Sequence, residues 1–410
     1  MTQKQKNFFT IFILGILTAL GPFSIDMYLP AFPDIAHDLK TDVARVAISL
    51  SSFFIGISAG QLIYGPLLDR FGRKKPLYVG LVIYILTSAG CMMVKDIDSL
   101  IALRFLQAIG SCAAGVASVA MVRDFFPVKD SAKVFALLML VVGASPMIAP
   151  TVGGYLTVAF GWQSVFLVLL VIAMVIMAAS AFGLPNVHQP DPTVSLKLMP
   201  IFKGYLAVFK EPQFYTYTFT GAMSFAGLFA YVAGSPVVFM DVFHLNAKVY
   251  GWIFAFLSVS FIGSSQVNSL LLRKFQSEHI SFYALLLQSA ASFVFLLLCL
   301  SQWISLIGLL VMLFIILGCV GFISPNTSAL ALAPFSKNAG SASALMGALQ
   351  MGVGSLASLA LGFFTVKSTV PLAFIMALSS FLSLVILVLG RRRIVHTVEA
   401  LEGPEIPLMH

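Results

Sequence analysis

Between two long apolar segments the sequence reads Gly65-Pro66-Leu67-Leu68-Asp69-Arg70-Phe71-Gly72-Arg73-Lys74-Lys75-Pro76. Four of these side chains carry a positive charge. The two glycines permit a close backbone approach or a positive φ, and a proline suits the first turn of a new helix. A short basic turn of this kind is expected at the edge of a membrane, where its charges reach water and lipid headgroups.

The composition of the whole chain supports a membrane setting. Of its 410 residues 59% are hydrophobic and only 10% are charged, and the mean hydropathy is +0.99. Soluble domains contain about 25% charged residues, so much of this surface must face lipid. The net charge of +8 would suggest nucleic acid in a soluble protein, but here the basic residues lie at the ends of apolar segments. No binding to nucleic acid is therefore expected.

The hydropathy pattern predicts an all-α polytopic membrane protein. A span requires about 20 apolar residues, and long runs without period-2 alternation form helices in lipid. About twelve such runs are present, at 8–31, 45–66, 76–94, 99–122, 132–157, 163–184, 214–240, 249–272, 280–300, 304–328, 340–365 and 371–390. The first run is too long for a secretory signal and contains an acid, so we expect it to be a retained span.

A proline-rich break divides the spans into two sets of six. The predicted organisation is an N-terminal bundle at 1–184, a cytoplasmic linker at 185–213, a C-terminal bundle at 214–391 and a cytoplasmic tail at 392–410. Within the linker, apolar residues from Ile201 to Phe209 alternate with lysines. This segment is either a helix lying on the inner leaflet or a plain connection.

The positions of the basic residues predict the orientation. With the N-terminus inside, eighteen of the 24 Lys and Arg residues lie on the inner side and five on the outer side. This bias places both termini in the cytoplasm.

Two charged residues stand out because they lie inside spans. Asp26 is the one clearly intramembrane acid and Arg104 the one clearly intramembrane base, and both lie about one turn or more from the outer surface. Intramembrane charges are costly and usually functional, so we expect a direct or water-bridged pair that acts as a proton switch. Two alternatives remain: a static structural pair, or an early end of the first helix that leaves Asp26 solvated at the rim.

The fourth and fifth spans carry further patterned residues. Arg104, Gln107, Ser111, Gly115 and Ser118 recur at helical spacing and form a polar stripe. The fifth span combines helix breakers with small residues, reading Ser145-Pro146-Met147-Ile148-Ala149-Pro150-Thr151-Val152-Gly153-Gly154. Prolines kink a helix and glycines allow a neighbouring helix to approach closely.

Together these motifs resemble the Bcr/CflA group of drug:proton antiporters within the major facilitator superfamily. The basic turn resembles the loop after the second helix of that superfamily, Arg104-x-x-Gln107 its fourth-helix motif, and Ala149-Pro150-x-x-Gly153-Gly154 its antiporter motif, with Ala149 in place of a glycine. The resemblance covers the whole chain. It implies that conformational motifs are formed by Gly65, Asp69, Arg70, Gly72, Arg73, Lys74, Pro150, Gly153 and Gly154. It also implies that Arg73 braces a neighbouring helix when the inner gate is shut.

The resemblance implies a proton-driven exporter of small amphiphilic drugs in the bacterial inner membrane, working by alternating access. No cofactor, metal or catalytic residue is expected, the chain is not an enzyme, and a monomer suffices. Asp26 and Arg104 are the expected coupling residues. The expected substrate contacts are Tyr28, Gln107, Ser111, Val142, Pro146, Leu228, Phe229, Val232, Gln350 and Met351.

Two other classes of function predict sequence features that differ from those of a drug exporter. A facilitator or symporter for a sugar, amino acid or other metabolite predicts a more polar cavity, whereas buried amides are scarce here. A polytopic enzyme or receptor predicts convergent acids, bases or metal ligands at one membrane edge, and the sequence contains no such cluster. The four cysteines match no metal spacing, and no Gly-Lys-Ser/Thr loop for ATP is present.

Overall fold

The computed structural model describes residues 3–126, 128–185, 198–335, 339–364 and 368–394. Within these ranges, twelve helical segments are long and apolar enough to cross a membrane. The predicted fold class, an all-α polytopic protein, is therefore confirmed. The predicted tail lies almost wholly outside the described residues, as does the first part of the linker.

The N-terminal half contains six spans. Its helices are α1 (Gln3–Asp26), α2 (Phe32–Asp38), α3 (Val43–Phe71), α4 (Lys74–Met93), α5 (Ile97–Phe125), α6 (Val128–Phe160) and α7 (Gln163–Gly183). The short α2 continues the first span, which therefore extends beyond the predicted end at residue 31.

The C-terminal half contains the other six spans and is preceded by a linker helix. Its helices are α8 (Leu198–Phe209), α9 (Pro212–Pro236), α10 (Ala247–Leu271), α11 (Ser277–Leu300), α12 (Leu306–Leu332), α13 (Ala339–Leu361) and α14 (Val370–Arg391). A π-helical turn, Val237–Val242, extends the span of α9. The linker helix α8 confirms that the alternating segment is helical; whether it lies on the membrane stays a prediction.

The connections at one end of the molecule are short and end in side-chain caps. Asp42, Asp96, Asn246 and Ser305 each precede a helix, and each accepts a hydrogen bond from the backbone N–H three residues further on. Such caps satisfy N–H groups that the first helical turn leaves unbonded. Asp96 lies outside the spans, and its side chain is exposed. The hydrogen bond from the backbone N–H of Ser99 stabilises the ionised carboxyl and holds the pKa of Asp96 below its usual value.

A break in the first span places Asp26 at the end of a helix. α1 ends at Asp26, a 3₁₀ turn occupies Leu29–Ala31, and α2 begins at Phe32. Pro30 and Pro33 lie in the first turns of the two following segments, where a missing N–H costs little. Asp26 is nevertheless 5% exposed, which excludes the alternative of a solvated rim position.

The two halves meet mainly through two pairs of helices. α3 packs against α13, and α6 packs against α10. The turn Leu29–Ala31 also contacts α6, α9 and α10. These contacts hold the two halves together.

Candidate functional site

A cavity of about 930 Å³ lies between the two halves. At its mouth are the charged residues Asp69, Arg73, Arg123 and Asp124, and deeper in the membrane are Gly21, Ile25 and Ser111. Between them the walls are mostly apolar, with a few hydroxyls and one amide; they include Thr18, Pro22, Ile57, Gln61, Val116, Val119, Ala120, Val142, Ser343, Met346 and Met351. The cavity therefore opens at the end of the bundle that carries the basic turn.

At the opposite end, residues of the two halves touch and close the cavity; we call this contact region the outer seal, after the orientation that the sequence predicts. The hydroxyls of Ser51 on α3 and Ser358 on α13 are 2.5 Å apart. Further along α3, the ring of Phe54 lies 4.4 Å from that of Phe229 on α9, in an edge-to-face arrangement. An edge-to-face aromatic pair stabilises such an interface beyond its buried area.

Glycines of the fifth-span motif let the helices of the outer seal approach one another. A Cβ atom added at Gly154 would lie 2.6 Å from the carbonyl oxygen of Ala247, and one added at Gly153 would overlap the carbonyl of Met27. From the other side, a Cβ at Gly251 would lie 2.9 Å from Cα of Thr151. These positions therefore require glycine at the present separation, because no real Cβ contacts are that short.

The basic turn forms an ionic network within the N-terminal half. Nε of Arg73 donates to Oδ2 of Asp124 on α5 at 2.7 Å, and Nη1 donates to Oδ1 of Asp69 at 2.6 Å. Gly72 adopts a φ of 80°, as predicted, whereas open space surrounds Gly65. Arg73 thus braces α5 while this end is open; that it does so when the inner gate is shut stays a prediction.

Two other members of the basic turn lie at the ends of helices. Arg70 lies in the last turn of α3, and Lys74 is the first residue of α4.

Pro150 lies within α6, and its carbonyl is 3.0 Å from the Cβ position of Gly251. It therefore belongs to the contact between α6 and α10.

Arg104 is fully buried inside the N-terminal half. Its Nη1 donates to Oε1 of Gln107 at 2.6 Å, and its Nη2 donates to the carbonyl of Ser24 at 2.9 Å. The guanidinium carbon lies 4.2 Å from the ring centre of Phe53 and 4.6 Å from that of Tyr28. The cation is thus held by dipoles and aromatic faces, and its Nε has no hydrogen-bond partner.

Of the direct or water-bridged pair predicted for Asp26 and Arg104, the direct ion pair is not formed in this conformation, and the water-bridged pair stays a prediction. Among the described residues, Arg104 makes no ion pair within 4.0 Å, and the Asp26 carboxyl accepts and donates no hydrogen bond. The carboxyl is buried where the first helix ends, just before the turn Leu29–Ala31 that contacts α6, α9 and α10. Similar depth suggested the pair in the sequence, but the Arg104 guanidinium takes its hydrogen-bond partners from Gln107 and Ser24 instead.

The expected substrate contacts divide into two groups. Ser111, Val142 and Met351 line the cavity. The others are not part of its wall: Tyr28 and Gln107 surround Arg104, Phe229 and Val232 are buried, and Pro146, Leu228 and Gln350 are half-buried outside the lining. The cavity therefore lies closer to the basic turn than the expected contacts do.

Several cavity residues were not predicted as contacts. Gln61 on α3 and the linker residues Ile201, Gly204 and Tyr205 line the wall. The hydroxyl of Tyr205 also donates to the carbonyl of Leu62 at 3.2 Å, which ties α8 to α3. A mid-span glutamine and an aromatic residue on the amphipathic linker were the available signals. The described residues contain no group of three or more His, Cys, Asp or Glu side chains that could hold a metal ion.

Twelve spans in two halves, with a cavity between them that is open at one end, are the features of a multi-pass membrane transporter. The chain belongs to the Major Facilitator Superfamily, whose model matches residues 14–359. It is a transporter and not an enzyme.

Two of three similar proteins are named for drug resistance. It is 31% identical over 384 residues to the bicyclomycin resistance protein homolog of Haemophilus influenzae, covering 92% of this chain and 94% of that one. It is 27% identical to multidrug resistance protein D of Escherichia coli, with 87% and 89% covered, and 33% identical to an uncharacterized MFS-type transporter, YdgK, of Bacillus subtilis, with 89% and 91% covered.

Among solved structures, the fold is similar to a bacterial homolog of the human lysosomal transporter Spinster in an inward-facing, occupied conformation. The TM-score is 0.71 at 14% identity, and 95% of this chain and 96% of that one are covered. At this identity the likeness concerns the fold alone.

Proposed function

We propose that this protein exports small amphiphilic drugs across the bacterial inner membrane in exchange for protons. The observation that carries the proposal is the position of Asp26, a buried carboxyl without a bonded partner beside the closed end of a large, mostly apolar cavity. The names of the relatives, which refer to bicyclomycin and multidrug resistance, support drugs as the substrate class.

The cavity suits ligands of varied shape. Its walls combine aliphatic side chains and two methionines with a few hydroxyls and the amide of Gln61. Methionine adapts to irregular apolar ligands, and a small number of polar groups fixes their orientation. Polar nutrients such as sugars would leave most of this wall without hydrogen-bonding partners.

Asp26 supplies the coupling in this proposal. An ionised carboxyl without a cation in a buried site is costly by several kcal/mol, so the present conformation fits a protonated Asp26. Drug that enters beside Ile25 favours proton release, and the resulting carboxylate destabilises the outer seal. The seal opens, drug leaves, and Asp26 takes up a proton from outside.

The orientation and the driving force follow from charge. The bias of Lys and Arg toward one side supports a cytoplasmic position for both termini and for the open end of the cavity. One titrating site gives one proton per cycle. Exchange of a neutral drug for one proton draws on the membrane potential, worth about 2.3 kcal/mol per charge per 100 mV.

The test is proton release on addition of a chloramphenicol-like drug to detergent-purified protein. We expect release from the wild type and none from Asp26→Asn, which keeps the shape of the side chain but cannot ionise. Asp98→Asn is the matched control, because Asp98 is an exposed acid paired with Arg45 at 2.9 Å, and it should release protons normally. Equal release from Asp26→Asn and wild type would refute Asp26 as the coupling group.

A further inference from the structure

A proline in the basic turn leaves one backbone carbonyl of α3 without its usual partner. In an α-helix each carbonyl accepts a hydrogen bond from the N–H four positions further on. For Leu62 that position is occupied by Pro66, which lies within α3 and has no N–H to donate. The Leu62 carbonyl is therefore available to a donor from outside the helix.

The linker helix supplies such a donor. The hydroxyl of Tyr205 on α8 donates to the Leu62 carbonyl at 3.2 Å. Tyr205 and Pro66 both line the cavity, so the bond lies at the cavity wall. It satisfies two groups at once, because a phenol needs an acceptor for its proton and the carbonyl lacks its helical donor.

Although its tyrosine bonds the N-terminal half, α8 is attached to the C-terminal half. Only residues 210–211 separate α8 from α9. Val208 of α8 is 1% exposed and belongs to a hydrophobic cluster with Phe214 of α9 and Met346 of α13. These contacts hold α8 on the C-terminal half, so the hydrogen bond of Tyr205 joins the two halves.

The same face of α3 carries two further hydrogen bonds between the halves. The hydroxyls of Ser51 and Ser358 meet in the outer seal, and Oγ of Ser58 donates to the Ala348 carbonyl at 2.8 Å. Positions 51, 58 and 62 lie at helical spacing. Of these three bonds, the one at Leu62 lies furthest toward the open end of the cavity.

Beyond this bond the helices around the cavity separate. In the described part of the chain, a Cβ atom added at Gly65 of α3, Gly204 of α8 or Gly340 of α13 would meet open space. All three glycines line the cavity. Closing of this end must bring such surfaces together, and it therefore moves α8, with the C-terminal half, relative to the Leu62 carbonyl.

We propose that Tyr205 is a positioning residue that holds the inner end open, with its hydroxyl on the carbonyl that Pro66 leaves available. This inference rests on the alternating access of the proposed function, and it requires neither protons nor a particular drug. The bond stabilises the present conformation, because it joins two bodies that move apart from this arrangement when the inner end closes. Its loss shifts the equilibrium toward the conformation in which the outer seal is open.

The test measures how often the outer seal opens, in the full chain and without drug. In a variant lacking the four native cysteines, Ser358→Cys places a thiol where the wild-type side chain is 1% exposed. Labelling by a water-soluble maleimide then follows the open population. Tyr205→Phe, which keeps the ring at the cavity wall, should raise the labelling rate about fivefold, the factor of one ordinary hydrogen bond. Tyr283→Phe, on the exposed surface of α11, should leave the rate unchanged.

A second labelling site distinguishes a shift between conformations from a general loosening of the fold. Ser380→Cys places the thiol inside the C-terminal half, where the wild-type residue is also 1% exposed, and it should stay unlabelled in Tyr205→Phe. Faster labelling at both sites would mean that Tyr205 only stabilises the fold. An unchanged or slower rate at Ser358→Cys would mean that its bond does not favour the open inner end. Either result would overturn the inference.

The decisive comparison repeats Tyr205→Phe in a Pro66→Ala background. The new N–H at position 66 can bond the Leu62 carbonyl within α3, so removal of the tyrosine hydroxyl should change the rate less than about twofold. The full increase in both backgrounds would overturn the inference, because the carbonyl left available by the proline would not be the group that matters. An effect of Tyr205→Phe found alongside equal proton release from Asp26→Asn and wild type would leave the inference standing and refute only the proposed proton coupling.

Discussion

Arg104 is a buried cation that makes no ion pair in the described part of the chain. Its charge is balanced by the Gln107 amide, the Ser24 carbonyl and the faces of Phe53 and Tyr28. Gln107 is itself held, because its Nε2 donates to Oγ of Ser88 at 2.7 Å. Arg104 therefore serves as a structural centre of the N-terminal half in this conformation.

The role of Gln107 can be tested on stability. Gln107→Ala removes the acceptor of Nη1 and leaves a buried charged donor unbonded, which costs about 1.5–3 kcal/mol. We expect a lower midpoint of thermal unfolding in detergent. Ser111→Ala, one turn further along the same helix and on the cavity wall, is the control: it should leave the midpoint nearly unchanged. A wild-type midpoint for Gln107→Ala would contradict the structural role of this amide.

At the scale of helices, small residues set how closely α6 packs on its neighbours. It approaches α10 of the other half through Gly154 and Gly251, and the end of α1 in its own half through Gly153. The two prolines of α6 lie in the same segment. The motif identified in the sequence is thus a contact surface of the outer seal and does not line the cavity.

Gly154→Ala tests this contact. The added methyl group would lie 2.6 Å from the Ala247 carbonyl, so the helices must separate, at a cost of about 1–3 kcal/mol. We expect faster maleimide labelling of Ser358→Cys and a several-fold loss of drug transport. Gly263→Ala on α10, where the methyl would meet open space, should behave like the wild type. Unchanged labelling in Gly154→Ala would show that the seal tolerates the separation.

The linker helix contributes to two surfaces. Ile201, Gly204 and Tyr205 face the cavity, while Met199 and Phe202 are 63% and 62% exposed. Apolar residues on the outer side, next to exposed Lys203, fit the predicted position on the inner leaflet. α8 therefore forms part of the wall at the open end as well as connecting the halves.

At the scale of the whole molecule, transport requires the two halves to exchange an open and a closed end. Here the halves are joined through α3–α13 and α6–α10 at one end and separated by the cavity at the other. Rocking about such a central site is the usual motion of transporters built from two repeats. Each half keeps its own ionic and aromatic clusters, so each can move largely as one body.

A disulfide across the outer seal should stop this motion. The hydroxyls of Ser51 and Ser358 are 2.5 Å apart, so Ser51→Cys with Ser358→Cys should cross-link under mild oxidation. We expect drug export to be lost in the oxidised double variant and restored by a reductant, whereas either single variant stays active. Export that continues in the fully cross-linked protein would refute an outer exit between these helices.

The sequence by itself determined the class of protein and the number of spans, and it singled out Asp26 and Arg104 as intramembrane charges. These properties depend on local composition, because lipid demands long apolar helices and penalises each intramembrane charge wherever it points. Only the tertiary structure decided the partners of those charges, the wall of the cavity and the end that is closed. Those outcomes depend on the rotation and tilt of helices that are distant in the chain. Helical spacing predicts which face of its helix a residue occupies, but it does not predict which neighbouring helix that face contacts.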